Sequence, residues 1–360
     1  MNYKQTSQDT THAPTLAEVT RDLKAWNREH KPVDYGTKLP LFQYVINEPV
    51  EEGTGGSLIP LSKTTKLPAI TLGDHAEGQL LARIQYPKGL MSRLPARHNL
   101  LAINYLIQNE QQSDALLRTI DGGYCRGLMT ARFSPFDTLE LIESIAPYCK
   151  RAKVRLVFDD PEVFHLSLTF PGTKARVKAG DVIERGIHVS NSEVGMRSVT
   201  IAGMVWRASC LNQLIGHSYG GNGHDRTGDS LENQGFKAGH KGRGESSGIV
   251  RIRHTGDSDR LRDQIGAAIE STYLESTKLL AQFKNSIKVR IDDPASRLMK
   301  VVEDNDLTQE DYKALLDSYM TEPDKNLFGV VNAISATARD REGEAQYQLQ
   351  RIAGRELAGS

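Results

Sequence analysis

Three polar side chains that could bind a ligand stand next to one another after a strand-like segment, residues 186–190. They are Asn191, Ser192 and Glu193. In the structural interpretation, such side chains hydrogen-bond the local backbone of a tight turn. In the functional interpretation they project from a sheet edge toward a ligand, with Arg197 and Arg207 beside them on neighbouring strand positions. The local sequence is compatible with both interpretations.

A glycine-rich segment, residues 216–248, carries a second group of side chains with chemical potential, and ten of its 33 residues are glycine. This composition predicts a loop and not a packed element. A flexible arm with cations and aromatic rings would suit single-stranded nucleic acid, because phosphates bind the cations and bases stack on the rings. The candidate contacts are Tyr219, Phe236, Lys237, Lys241 and Arg243.

The same segment contains groups that could bind a metal ion. They are His217, His224, His240, Asp225 and Asp229. Their spacings match no ligand pattern with a geometric basis, so the question of a metal stays open. A plain surface loop is the remaining interpretation.

Two arginines, Arg251 and Arg253, follow the glycine-rich segment. They would lie on the same face of a strand, with His254 on the opposite face. One face of that strand would then be strongly basic, and solvated or ion-paired arginines are the structural alternative. The candidate phosphate contacts on predicted strands are Arg185, Arg197, Arg207, Arg251 and Arg253.

The composition favours a globular protein, since 38% of the 360 residues are hydrophobic and 25% are charged. The net charge is zero, but residues 150–290 hold 22 Lys and Arg against 15 Asp and Glu, so the middle of the chain is basic. Walker and dinucleotide-binding motifs are absent from the sequence. We therefore predict no catalytic residue and no cofactor, and we expect a protein that is not an enzyme.

The N-terminal residues are polar and lack the apolar stretch of a signal peptide, and no run of 18 apolar residues occurs. Cys125, Cys149 and Cys210 are too few and too scattered for a disulfide framework, which fits a reducing compartment. They follow apolar patterns that are typical of small core residues. These features predict a cytoplasmic protein without a membrane partner.

Apolar spacing predicts helices near residues 16–29, 76–84, 99–109, 138–148 and 258–283, and a capping box at Thr308 and Asp311 predicts another. Asp121, Gly122 and Gly123 stand between two apolar runs, which predicts a β-hairpin. Residues 1–14 are expected to be disordered and residues 51–57 to form a flexible turn. A last helix is expected to end near Leu357.

The strand-like runs from residue 154 to residue 210 follow one another without helices, which predicts an antiparallel sheet and an α+β fold. The expected core is this sheet packed by helices, with the long glycine-rich loop inserted before the last core strand. We expect an N-terminal tail and docked helix over residues 1–50, the core over residues 51–290 with the loop at 216–248, and a helical C-terminal region over residues 291–360.

Four runs resemble, in order, landmarks of the phage and plasmid family called domain of unknown function 932: residues 116–145, 180–212, 251–257 and 326–340. The likeness spans residues 77–340. The family pattern N-S-E-x-G, followed by C-x-N and later R-x-R-H, corresponds here to Asn191, Ser192, Glu193, Gly195, Cys210, Asn212 and His254. Gln213 stands where the family commonly has glycine, and the glycine-rich segment resembles an insertion.

The resemblance implies a role in mobile-element DNA metabolism inside a bacterial host cell. A sheet followed by a long helix is also similar in outline to phage single-strand annealing proteins, an analogy of fold alone. The leading hypothesis is a non-catalytic protein that binds single-stranded DNA during recombination or replication. A metal-dependent nuclease and a protein-binding scaffold or anti-defence protein are the alternatives, and self-association stays open.

Overall fold

Two β-sheets organise the residues that the computed structural model describes, which are 3–6, 14–46, 54–62, 67–111, 113–178, 181–208, 211–216, 249–256 and 258–359. Helices pack on both sheets, and the described residues after 258 are mainly helical. The predicted α+β class with a helical C-terminal region is therefore confirmed.

The helices and strands alternate irregularly along the chain. The first part contains β1 (Tyr3–Thr6), α1 (Leu16–His30), β2 (Val33–Lys38), β3 (Phe42–Val45), β4 (Thr54–Pro60), β5 (Ile70–Gly73), α2 (Asp74–Arg83), α3 (Ala96–Gln108), β6 (Asp114–Ile120), β7 (Tyr124–Thr130) and α4 (Thr138–Ile145). The second part contains β8 (Lys153–Asp159), β9 (Phe164–Thr169), β10 (Ala175–Arg176), β11 (Val182–Asn191), β12 (Val199–Arg207), β13 (Asn212–Ile215), β14 (Ile249–Ile252), α5 (Ser258–Asn285), α6 (Pro294–Asp304), α7 (Gln309–Thr321), α8 (Leu327–Arg339) and α9 (Gly343–Ala358).

Six strands form the small sheet, in the order β2-β6-β7-β5-β4-β3. The predicted hairpin is confirmed as the β6–β7 pair, and its turn holds Asp121 and Gly122 at φ angles of 51° and 79°. Glycine adopts such an angle without a steric cost and Asp is among the residues that tolerate it, which explains Gly122 and Asp121. β5 and β7 run parallel, so the small sheet is mixed. One core joins its strands to α2 and α3, through residues that include Phe42, Leu72, Leu80 and Ile103.

Eight antiparallel strands form the large sheet, in the order β1-β8-β9-β11-β12-β13, with β10 beside β11 and β14 beside β12. β13 and β14 pair with the same edge of β12, at residues 204–207 and 199–202. The predicted antiparallel sheet of the second half is thus confirmed.

The large sheet is covered on both faces, because neighbouring residues of a strand point to opposite sides. On the Ile187 side lies α5, whose backbone at Ser276 would contact a Cβ placed on Gly203. On the His188 side lies α9, where the Tyr347 ring stacks on His188 with centroids 5.0 Å apart. The sheet therefore lies between α5 and α9.

The C-terminal helices pack against the large sheet around α8. Eleven residues of α8 are buried, including Phe328, whose ring lies 5.3 Å from that of Phe283 in α5. The capping box of α7 is confirmed at Thr308 and Asp311. The core of the last helices is thus continuous with the sheet across the boundary expected at residue 290.

Three local expectations are wrong. Tyr3–Thr6, expected to be disordered, pairs with β8 as an edge strand. Residues 54–57, expected to form a flexible turn, belong to β4, where a Cβ on Gly56 would collide with the Tyr44 ring. Residues 33–45, placed with the N-terminal tail, contribute β2 and β3 to the small sheet. The glycine-rich loop, apart from Gly216, lies outside the described residues.

Two of the three cysteines lie in the cores. Cys125 and Cys149 are buried, and burial raises the pKa of each thiol to about 12. Such thiols are protonated at neutral pH, which agrees with a packing role. Cys210 lies outside the described residues.

We expect Gly186→Ala to destabilise the protein, because a Cβ at this position in β11 would collide with the backbone carbonyl oxygen of Leu168. The loss in free energy of unfolding should be about 2 kcal/mol or more, measured by urea unfolding. Gly78→Ala in α2 is the matched control, since a Cβ there meets nothing within 4 Å, and it should stabilise the protein by about 0.5 kcal/mol. Equal effects of the two changes would contradict this account.

Candidate functional site

The Asn-Ser-Glu run ends β11 and begins the tight turn that follows it. Asn191 donates from Nδ2 to the Phe136 carbonyl at 3.0 Å, and Ser192 donates from Oγ to the Glu162 carbonyl at 2.6 Å. The same hydroxyl accepts the Met196 amide at 2.9 Å. Gly195 completes the turn with a φ of 82°. Asn191 and Ser192 therefore hold the turn in place, as the structural interpretation expected.

Glu193 lies where the turn meets the small sheet. Its carboxylate accepts hydrogen bonds from Arg126 Nη2 and from the Thr138 amide, both at 2.7 Å. Arg118 Nη1 donates to the Glu193 carbonyl at 3.0 Å. Because Arg118 and Arg126 belong to β6 and β7, the turn that follows β11 of the large sheet is bound by two cations of the small sheet.

Further acidic groups complete what we call the junction network, which comprises Asp34, Arg118, Arg126, Asp137 and Glu193. Arg118 donates from Nε to Asp34 at 2.8 Å and from Nη2 to Asp137 at 2.5 Å. Asp137 is also the N-cap of α4, in a capping box with Glu140. The network thus links both sheets to the start of a helix.

The charges of the network act on one another. Burial by itself would raise the pKa of Glu193, but Arg126 and Arg118 lower it to about 2, so this carboxylate is ionised at neutral pH. Burial and then the Glu193 charge raise the pKa of Asp159, to about 7. Glu193 is therefore a fixed negative charge with two cationic partners.

His254 comes to the same region from a distant part of the sequence. Its ring stacks on Phe133 with centroids 4.8 Å apart, and its carbonyl accepts the Ser134 amide at 2.8 Å. Burial lowers the pKa of His254 to about 4. The loop of residues 133–138 thus contacts His254, Asn191 and Glu193, and brings these three motif residues into one neighbourhood.

A second polar cluster involves Arg207 and Asn212. Arg207 Nε donates to Asp181 at 2.8 Å and Nη1 donates to Glu322 at 2.9 Å, while Asn212 Nδ2 donates to Asn332 at 3.0 Å. Arg207 is only 5% exposed. Two carboxylates of the same chain already bind its guanidinium, which opposes its predicted role as a phosphate contact. We leave it out of the proposed surface.

A third cluster lies under α9. His165 Nδ1 and His188 Nε2 are 3.2 Å apart, and Ser167 Oγ lies 2.8 Å from His188 Nδ1. Tyr347 of α9 stacks on both imidazole rings. Burial lowers the pKa of both histidines, so a neutral pair fits between the sheet and the helix.

Arg197, another predicted phosphate contact, belongs to the third cluster. It pairs with Glu344 at the start of α9, and its guanidinium lies 4.9 Å from the centre of the Tyr347 ring. Like Arg207, it is bound to an internal carboxylate, so we also leave it out of the proposed surface.

The remaining predicted contacts divide into two groups. Arg185 is half-buried, with its guanidinium 4.9 Å from the centre of the Tyr273 ring in α5. Arg251 is exposed on β14, and Arg253 is half-buried just beyond the end of that strand. Those that lie outside the described residues are Tyr219, Phe236, Lys237, Lys241 and Arg243.

One surface that we did not predict has the chemistry expected of a nucleic-acid contact. We call it the basic–aromatic surface, and it consists of Tyr148, Lys150, Arg151, Phe170, Arg185 and Tyr273. Lys150 and Arg151 are exposed and form no ion pair with another described residue. The sequence signal for this surface is the run K-R-A-K that follows the exposed Tyr148. A charge count over a long stretch does not detect a cluster of only four residues.

Several contacts make the basic–aromatic surface continuous. Lys150 and Arg151 follow Tyr148 closely in the segment between α4 and β8. The Phe170 ring meets the Tyr273 ring edge-on at 5.2 Å, and the Phe170 amide donates to the Arg185 carbonyl at 3.0 Å. Tyr148 lies against Gly266, two helical turns before Tyr273 on the same side of α5.

Comparison with protein-family models, curated proteins and solved structures finds no match for this chain. The family resemblance therefore stays a prediction. Among the described helices, none is both long and apolar enough to cross a membrane. Within the same residues, no three His, Cys, Asp or Glu side chains are arranged to hold a metal ion.

We expect Glu193→Ala to destabilise the protein by about 3–5 kcal/mol, because it removes the carboxylate that binds Arg126 and leaves the Thr138 amide without its acceptor. Urea unfolding measures the change. Glu143→Ala is the control, since Glu143 forms a half-exposed pair with Lys24 and should contribute less than about 1 kcal/mol. A loss at Glu193 no larger than that at Glu143 would contradict the role given to the junction network.

The buried histidines predict that stability falls as the pH drops below about 6.5, the ordinary histidine pKa. Because burial lowers the pKa of His165, His188 and His254 in the folded protein, the unfolded chain binds protons first. Each histidine then lowers the free energy of unfolding by about 1.4 kcal/mol per pH unit, until the pH reaches its folded pKa. Above about pH 6.5 all three are neutral in both states and add no slope.

Urea unfolding at about pH 7 and about pH 5.5 measures this slope. His188→Gln should reduce the difference in free energy of unfolding between these two pH values by roughly 1.3 kcal/mol, because the unfolded histidine titrates within this interval. The comparison between variant and wild type is needed because Asp159, with its raised pKa, contributes a slope of opposite sign to both proteins. An unchanged slope would mean that His188 takes up its proton in the folded state.

Proposed function

We propose that the protein binds nucleic acid, in the first instance single-stranded DNA, at the basic–aromatic surface and without a chemical step. The observation that carries the proposal is the pair of exposed cations Lys150 and Arg151, which have no ion-pair partner among the described residues. Cations that no internal carboxylate neutralises can bind phosphate oxygens and release counterions.

The aromatic side chains favour single strands over a duplex. Tyr148 is 49% exposed and Tyr273 is 39% exposed, so each presents part of its ring to solvent. Unpaired bases stack on such rings, with about 1–3 kcal/mol per base, whereas the bases of a duplex already stack on one another. Phe170 and Arg185 support the Tyr273 ring from two sides.

The spacing of the surface suits a strand that passes over several residues. Tyr148 and Tyr273 lie about two helical turns apart along α5, which corresponds to roughly 10 Å. A strand that follows this line would pass Lys150 and Arg151 at its backbone. The family resemblance extends the proposal to recombination or replication of phage or plasmid DNA.

The first test is fluorescence anisotropy of a labelled single-stranded oligonucleotide with wild-type protein and the Lys150→Glu/Arg151→Glu variant. The variant should bind at least about tenfold more weakly, with a shallower dependence on salt, because two phosphate contacts become repulsive. Lys300→Glu/Lys313→Glu is the matched control, because it makes the same change in net charge at exposed positions of α6 and α7. Equal affinity of the two variants would overturn the proposed surface.

The same assay can detect a gain of affinity. Glu270 is exposed on α5 one turn before Tyr273, where its carboxylate would repel a phosphate backbone. Glu270→Gln should therefore tighten binding by roughly threefold. Tyr273→Ala should weaken it, and Tyr273→Phe should not. A gel of the oligonucleotide after incubation with magnesium should show an intact strand, and cleavage would contradict a purely binding function.

A further inference from the structure

A second basic surface lies at the start of α3, away from the proposed nucleic-acid surface in sequence. Residues 78–109 contain no Asp or Glu, and Lys88, Arg93 and Arg97 within this run are exposed and form no ion pair with a described residue. On the same helix Leu101 is 64% exposed and Tyr105 is 69% exposed. Because Arg97, Leu101 and Tyr105 are four residues apart, they form one stripe on the outside of α3.

An acidic surface of comparable size lies on the C-terminal helices. Residues 303–324 contain eight Asp and Glu and a single Lys. Three of the acidic residues bind cations of their own chain, namely Asp311 with Arg341, Glu322 with Arg207 and Asp324 with Lys178. The acidic residues that are exposed and form no ion pair with a described residue are Glu303, Asp304, Asp306, Glu310 and Asp317.

The acidic surface also carries an exposed apolar side chain. Met320 on α7 is 64% exposed and lies one turn after Asp317. The two surfaces therefore have opposite charge, and each combines exposed ionic groups with exposed large apolar side chains, two on α3 and one on α7. A chain whose net charge is zero has little overall repulsion to keep its copies apart.

From this complementarity we propose that a second copy of the chain binds through these surfaces, with the start of α3 of one copy against α6 and α7 of the other. Ionic groups would set the partner and the orientation, while Leu101, Tyr105 and Met320 lose contact with water. Two different patches form the contact, so repetition of the same contact joins further copies in a ring or a chain. The proposal goes beyond nucleic-acid binding and does not depend on it.

Sedimentation velocity of the full chain, free of nucleic acid, tests the contact. Wild-type protein should associate at about 50 mM salt, and its association constant should fall at least about tenfold at about 500 mM salt, because the charges are exposed. Arg93→Glu/Arg97→Glu and Glu310→Lys/Asp317→Lys should each be monomeric at low salt. Their thermal unfolding should match that of the wild type, since all four positions are exposed.

A mixture of the two reversed variants gives the sharpest outcome. One variant keeps the acidic surface and the other keeps the basic surface, so the mixture should form a one-to-one complex although neither variant associates alone. The Lys150→Glu/Arg151→Glu variant should associate like the wild type, which separates this proposal from the nucleic-acid surface. A mixture that stays monomeric would overturn the proposal, as would a wild type that is monomeric at low salt. Weaker oligonucleotide binding by Arg93→Glu/Arg97→Glu without any change in sedimentation would instead assign α3 to nucleic acid.

Discussion

The ionised carboxylate of Glu193, buried between two sheets, is the constraint on which the rest of the structure depends. An isolated carboxylate in such a place would cost several kcal/mol, and here Arg126, Arg118 and the Thr138 amide stabilise it. The cations belong to the small sheet, the carboxylate to the turn after β11 of the large sheet, and the amide to the first turn of α4. The turn after β11 can therefore adopt its conformation only when all three elements are in place, and one charge couples the folding of two sheets and a helix.

The sequence predicts those parts of the fold that depend on neighbouring residues. The hairpin at Asp121, the capping box at Thr308 and the apolar stripe of α5 each need only a local pattern, and each is present. The parallel pairing of β5 with β7 and the pairing of β13 with β12 could not be predicted, because short strands gain their pairing from tertiary contacts. For the same reason the sequences of β2 and β3 did not predict that these two strands belong to the small sheet.

The candidate site shows the same division. Arg207 binds Glu322, which lies 115 residues away, and Arg197 binds Glu344, which lies 147 residues away. A local sequence pattern does not show whether an arginine on a strand faces solvent or binds a carboxylate that is distant in the sequence. The basic excess of residues 150–290 is thus partly neutralised by acidic residues of the C-terminal helices. Lys150, Arg151 and Lys153 keep their charge at the surface because no described carboxylate reaches them.

The pairing of β13 and β14 along one edge of β12 has a consequence for the residues between them. Gly216 donates its amide to the Gly203 carbonyl, directly after Ile215 pairs with Met204, and Ile249 pairs with Ala202, the next residue of β12. Both strands run in the same direction, so they are two parts of a single edge strand that the 32 residues 217–248 interrupt without any shift in register. Joining residue 216 directly to residue 249 would leave the hydrogen-bonding ladder in phase. The length and composition of this segment are therefore free to change in evolution independently of the sheet, and a new binding property could be gained or lost there with little effect on the fold.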